Sequence, residues 1–317
     1  MLFWRGLVEK RRPPAPPTPG SGWDAHAAKA RGVQQQMQRW LRFRPPGALL
    51  SVRRSSPSSN RTISPLDGAP PGVDVGPLCE VIAYDAMAGV LHVEPGLPQD
   101  ELARFCLARG LLPPIVLEFP GITVGGAFSG GGIESSSHAH GSFADTVEEL
   151  DVVLGDGRYL QHVSRSHHAD LFFALRNSYG TLGVLTRLAL SGVRPAPPHV
   201  HLRFEVCAGA AAAMEVMEAA ARSTAPPQFI DAVALSPELA VVVLASAVAA
   251  PPLGAAPLRL RAARTAPWFA WHLEDVAAGA APREAVCTLE DYLFRFDRGS
   301  FPARAQKKRS PQRARRT

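Results

Sequence analysis

The chain has 317 residues, 46% hydrophobic and 20% charged, long and apolar enough to bury a core as one or two domains and too apolar for an intrinsically disordered protein. The net charge of +6 invites a polyanionic partner, but seven Lys or Arg and no acid lie in residues 302–317, so residues 1–301 carry −1 and nucleic-acid binding by the folded part is not expected. No run approaches the roughly 18 apolar residues of a spanning helix, and the longest, 240–250, stops at Pro251 and Pro252.

Residues 1–23 are basic and Pro-rich, with an apolar run too short for a signal peptide, and are expected to be unstructured. From Asp24, which can cap a helix, Val33, Met37, Trp40 and Leu41 recur at helical spacing. Pro, Gly and Ser break that pattern over 42–65, around a short strand at 48–52. "CEVIAY" and "GVLHVEP" predict two strands joined by a turn at 85–89. A helix follows over 99–109, with Leu102, Phe105 and Cys106 inward and Gly110 as its stop.

"EELDVVLGDGRYLQHV" predicts a hairpin around Gly155, Asp156 and Gly157, "ADLFFALR" a short helix and "VLTRLALSGV" a strand. Beyond Pro198 the composition turns Ala-rich: a strand "HVHLRFEVC", a helix ending near Arg222, apolar runs at 229–235 and 240–248, and an aromatic segment "APWFAWHLEDV". Met214, Val216 and Met217 are expected in the core. Hairpins and short helices without long βαβ alternation indicate an α+β fold, not a doubly wound sheet. Cys79, Cys106, Cys207 and Cys287 are scattered and form no CxxC, as for reduced, mostly buried thiols of an intracellular protein.

The segment "TVGGAFSGGGIESSSHAHG" (123–141) carries the strongest chemical signal. It is not a Walker A loop, because Gly131 and Gly132 follow Gly130 where Lys and Ser or Thr are needed. It is not the dinucleotide fingerprint either, because Ser135 stands three residues after Gly132. What is left is a loop whose bare backbone lets a diphosphate approach several successive N–H groups, with Ser135, Ser136 and Ser137 as added hydroxyl donors.

Thr123-Val124-Gly125-Gly126, the run Gly132 to His138 and Gly180-Thr181-Leu182-Gly183 resemble the flavin-binding (PCMH-type) domain of the vanillyl-alcohol-oxidase superfamily, and within it the delta(24)-sterol reductase (Diminuto or 24-dehydrocholesterol reductase) family. "VQQQMQRW", "VHLRFEV", "APWFAWHLEDV" and "LEDYLFRFDRGSF" extend the resemblance over about 33–301. It implies two α+β subdomains gripping FAD, followed by a cap: 24–197 FAD-binding and 198–301 a partial substrate region, with 1–23 and the basic tail 302–317 expected from their composition to be disordered. Thr123, Val124, Gly125, Gly126, Ala127, Phe128, Ser129, Gly130, Gly131, Gly132, Ile133, Glu134 and Ser135 would wrap the pyrophosphate and ribityl, with Ser136, Ser137 and His138 as the family-specific edge. Gly180, Thr181, Leu182 and Gly183 would close the other side. Glu134 would repel a pyrophosphate and is expected to turn away into a structural hydrogen bond.

The sequence departs from the wider pattern at residues 44–61, which hold one Gly and no His, so the FAD is expected to be non-covalent. The membrane anchor and longer cap of such relatives have no counterpart in it, which puts catalytic competence in doubt, and association with the endoplasmic reticulum would be peripheral. The implied reaction is reduction of a carbon–carbon double bond in the side chain of a sterol, with NADPH reducing the flavin and an acid protonating the carbon that receives no hydride. His138, His140 and Tyr292 are candidate acids, although such a His is more often a hydrogen-bonded scaffold residue and such a Tyr more often simply packed. His167-His168 and His199-x-His201 lack Cys or carboxylate at ligand spacing, so no metal is expected. The alternatives are an FAD-linked oxidase or dehydrogenase of an alcohol or sugar-like substrate, a silent flavin fold, or a lipid or nucleic-acid contact through the tail.

Overall fold

The computed structural model describes residues 21–53, 72–260 and 268–296; the segments 1–20 and 54–61 and the basic tail 302–317 lie outside the described residues. Helix α1 (Ser21–Phe43) begins ahead of Asp24, so 21–23 are not unstructured as their composition suggested. Tertiary packing extends the helix past the sequence cap: the Trp23 ring lies 5.0 Å from His92, with the Arg187 guanidinium above it at 5.8 Å. Farther along, Val33, Met37 and Trp40 are buried with Val73, Leu78, Val153 and Val184, the apolar stripe their spacing predicted. Near the start of α1, buried Glu94 accepts from Lys29 and pairs with His26 at 3.0 Å.

The expected strand at 48–52 shrinks to β1 (Val52–Arg53), which pairs in parallel with β2 (Val73–Asp74). Then follow β3 (Val81–Asp85), β4 (Val90–Val93), α2 (Gln99–Leu107), β5 (Leu111–Leu112), α3 (Val124–Gly130), the short α4 (Ser137–His140), β6 (Val147–Leu154), β7 (Tyr159–Ser164), α5 (Ala169–Leu175), β8 (Gly183–Leu190) and β9 (Arg194–Pro195). Five of these strands form one antiparallel sheet in the order β3-β4-β8-β6-β7. Leu91, Val93, Leu102, Phe128, Phe143, Leu150, Phe172 and Leu188 make its core.

A second five-stranded sheet starts at β10 (His199–Cys207) and continues through α6 (Gly209–Ala221), β11 (Phe229–Ser236), β12 (Leu239–Val248), β13 (Ala256–Pro257), α7 (Phe269–Ala277), β14 (Glu284–Thr288) and α8 (Leu289–Leu293), in the order β11-β12-β10-β14-β13. Its core, with Val200, Leu202, Phe204, Val241, Leu273 and Tyr292, also takes in Ala103, Leu112 and Val116 from the α2–β5 region. The two halves therefore share apolar burial. Val216 and Met217 pack against a smaller cluster beneath α6, but Met214 is exposed, contrary to the core reading. Cys106, Cys207 and Cys287 are buried, and burial pushes the Cys106 and Cys287 thiols up to about 12. Among the described residues no helix is long and apolar enough to cross a membrane.

Candidate functional site

The glycine-rich stretch is a helix where the sequence suggested a loop. Thr123 caps α3 by accepting from Gly126 N–H at 3.2 Å, and Gly131 ends it in the left-handed region at φ 74°. Glycine is a poor helix former, but close packing fixes this segment. A Cβ on Gly125 would stand 2.7 Å from the Pro95 Cβ, and one on Gly132 would stand 2.8 Å from Leu117 Cδ1.

That packing also corrects the expected phosphate cradle. Val124 N–H donates to Leu97 O, Gly125 to Pro95 O, Gly126 to the Thr123 hydroxyl, Ala127 to Thr123 O and Gly132 to Ala127 O. These donors are already committed to the protein, so they are not a row of bare N–H groups. Val124, Ala127 and Phe128 turn their side chains into the core, where full burial of Phe128 is worth about 1.5–3 kcal/mol.

An open edge lies at the other end of α3. Gly130 is exposed, and a Cβ there would meet nothing within 4 Å; the same holds for Gly180. The 177–183 segment runs alongside: Asn177 N–H reaches Phe128 O at 3.3 Å, and Tyr179 N–H reaches Ser129 O at 2.9 Å. Asn177 and Tyr179 hold φ of 57° and 54°, values that are costly outside glycine and that cluster at ligand sites. Ile133, Tyr179 and Leu182 expose apolar surface on the same edge, and Thr181 carries its hydroxyl there, bonded to Ser178 O at 2.7 Å.

The residues that follow, 134–138, meet the second sheet. Ile230 N–H donates to Ser135 O at 2.8 Å, and the Tyr292 hydroxyl donates to Ser135 Oγ at 3.2 Å. Ser136 Oγ donates to Pro114 O, and Ser137 Oγ accepts from Glu134 N–H. Glu134 does turn into structural contacts: its Oε1 accepts from Ser135 N–H and from Arg295 Nη2, both at 2.9 Å. Arg295, 5% exposed, also grips Asp231.

Of the candidate acids, His138 faces two backbone carbonyls, Ser135 O at 3.1 Å and Pro227 O at 3.0 Å, the posture of a scaffold residue. His140 lies beside Arg194 at 3.3 Å, and burial with that positive charge lowers its pKa. Tyr292 is fully buried, and burial raises its phenol. The composition-based reading overlooked Glu118, Asp231 and Arg295. Their signal was a charge inside an apolar run, "PPIVLEFP", "FIDAVAL" and "DYLFRF", where burial demands a partner. Burial, then the Glu134 carboxylate, raises Glu118 to about 7 against the pull of Arg295.

A family described as FAD binding domain matches residues 71–162. The sequence is 28% identical over 224 residues to the delta(24)-sterol reductase of Mus musculus, covering 71% of this protein and 42% of that one. It is 23% identical over 296 residues to a delta(24)-sterol reductase homolog of Caenorhabditis elegans, covering 88% and 54%. A carbohydrate oxidase of Microdochium nivale is 31% identical over 166 residues, covering 49% and 32%. The protein thus spans about half the length of these relatives or less.

The edge from Ser129 to Ile133 and from Ser178 to Leu182 fits an extended, flat, phosphate-bearing cofactor: two open glycines admit close backbone approach, and apolar side chains flank hydroxyl groups. The match to an FAD binding domain covers residues 71–162, and the similarity to delta(24)-sterol reductases extends beyond it, over 71% of this protein in one relative and 88% in another.

Proposed function

We propose that the protein reduces a carbon–carbon double bond in the side chain of a sterol, using non-covalent FAD and NADPH as the source of electrons. The observation that carries this reading is the continuity of two features: the open edge at Gly130 and Gly180 runs directly into the 134–138 segment, over which the second sheet closes. Ser129, Gly130, Gly131, Thr181 and Gly180 would hold the cofactor's polar part, and Ile133, Tyr179 and Leu182 its flat faces. Bound there, the flavin supplies hydride; the protein's own work is to orient the alkene, keep water out and furnish a proton. The proposed division of labour puts FAD binding in 24–197 and substrate contact in 198–301.

Similarity to a carbohydrate oxidase supports a second reading, oxidation of an alcohol or sugar. One experiment separates them. The purified protein is expected to release flavin on denaturation and, without air, to bleach promptly on addition of NADPH. Bleaching only by an alcohol or sugar would favour the oxidase, and a colourless preparation would sink both.

A further inference from the structure

The cofactor edge ends at Ile133, and the next residue is an acid, Glu134. Consecutive Cα atoms stand about 3.8 Å apart, so the Glu134 backbone lies within roughly 8 Å of Gly132, beside an edge that has to accept a diphosphate. A carboxylate so close repels the phosphates unless it is turned away and neutralised.

The second half of the protein supplies the counter-charge. Glu134 Oε1 accepts from Ser135 N–H and from Arg295 Nη2, each at 2.9 Å, and Glu134 N–H donates to Ser137 Oγ, so the side chain folds back over the turn that follows it. Arg295 comes just after α8, and its own segment fixes it without help from Glu134. Its N–H and Nη1 donate to Tyr292 O at 3.2 and 3.1 Å, and its Cζ lies 4.4 Å from the Tyr292 ring centre and 4.9 Å from that of Phe296. A guanidinium keeps its charge at any working pH, and with the Arg295 and Glu134 side chains 2% and 9% exposed the pair is little screened.

Asp231 is the other acid on this guanidinium. Burial raises it against the pull of Arg295, the direction that leaves more of the positive charge to Glu134. The backbone beyond Glu134 is tied separately: Ile230 N–H donates to Ser135 O, the Tyr292 hydroxyl to Ser135 Oγ and Ser136 Oγ to Pro114 O. Altering the charge pair therefore leaves these ties in place.

We propose that Arg295 is a positioning residue for cofactor binding: it keeps the Glu134 carboxylate turned from the edge at Ser129–Ile133 and neutralises it, so that the second half of the protein sets the affinity for a diphosphate bound on the first. The role rests on the FAD reading above and on no particular substrate.

Fluorescence titration with FAD at low ionic strength tests it. Arg295→Met leaves the carboxylate without its counter-charge and should raise the Kd by about 10-fold or more. Glu134→Gln keeps an oxygen for Ser135 N–H and Arg295 but removes the charge, and should bind FAD at least as tightly as the wild type. Combining the two should recover most of the affinity that Arg295→Met loses. A merely structural tie behaves otherwise: each single variant would weaken binding, and the combination would be no better than Arg295→Met. An unchanged Kd in Arg295→Met, weaker binding by Glu134→Gln, or no recovery in the combination overturns the role. Should Arg295→Met fail to fold, Glu134→Gln decides by itself. Wild-type protein that binds no FAD refutes the cofactor reading and the role with it, whereas wild-type binding together with any of those three results overturns the role alone.

Discussion

Two buried arginines organise the two halves of the molecule in opposite ways. Arg187 lies on the first sheet, where Nε and Nη2 grip Asp151 at 2.9 and 2.7 Å, Nη2 also meets Glu149 at 2.5 Å and Nη1 meets His92 at 3.1 Å. Each of these hydrogen-bonding partners stands on β4 or on β6, the neighbours of its own strand β8. Burial would push both carboxyls up, yet the bonds and charge of Arg187 hold them below the usual range. Arg295 draws Glu134 and Asp231 from segments far apart in sequence, and at Asp231 burial wins over the arginine and raises the carboxyl. With the same side chain buried in both places, the surroundings decide whether the arginine or burial sets the direction in which a neighbouring carboxyl moves.

Removing either arginine should expose that contrast most strongly. Arg187→Met leaves Asp151 buried without its partner, and a loss of about 3–5 kcal/mol is expected from urea unfolding at pH 7. Arg295→Met should lose less at pH 6 than at pH 8, because burial already raises Asp231 toward its neutral form; equal losses at both pH values would make the two clusters alike.

The pH dependence comes next in size. Glu118 is raised in the folded state from 4.5 to about 7, so its contribution to stability is full below about 4.5 and is lost as pH rises through about 7, by at most roughly 3 kcal/mol. Glu118→Gln should flatten stability across that window. Asp151 and Glu149 are lowered, so their contribution is present above the unfolded value and is lost as pH falls through the folded one. Of the two clusters, the first is therefore the one expected to lose stability on the acid side.

Two glycines in one helix extend the contrast to smaller effects. Gly125→Ala drives a methyl group against Pro95 and should cost about 1–3 kcal/mol in thermal or urea unfolding. Gly130→Ala meets open space and should change stability by less than about 1 kcal/mol, in the favourable direction, while weakening flavin binding measured by fluorescence titration. An unchanged flavin Kd would move the cofactor edge away from Gly130.

The hairpins β3–β4 and β6–β7, the helix from Gln99 and the Ala-rich helix before Arg222 were all legible in the sequence, because alternation and helical spacing are local properties. The character of α3 was not. "VGGAFSG" has low helix propensity, and only the Thr123 cap and the tight seat against Pro95 and Leu117 select the helix. The motif assigned to ligand binding several N–H groups that the fold uses itself. Arg295 and Asp231 lie 161 and 97 positions beyond Glu134, so no periodicity could connect them. An odd charge in an apolar run was their only trace.

Ser135 sits within the glycine-motif region, yet its carbonyl and hydroxyl are both satisfied by residues of the second sheet and its flanking helix, Ile230 and Tyr292. A fragment cut after Pro197 would strand both groups and uncover Ala103, Leu112 and Val116. The smallest independently folding unit that presents this motif with these contacts intact therefore runs through at least Tyr292, and a fragment ending at Pro197 should be insoluble or molten.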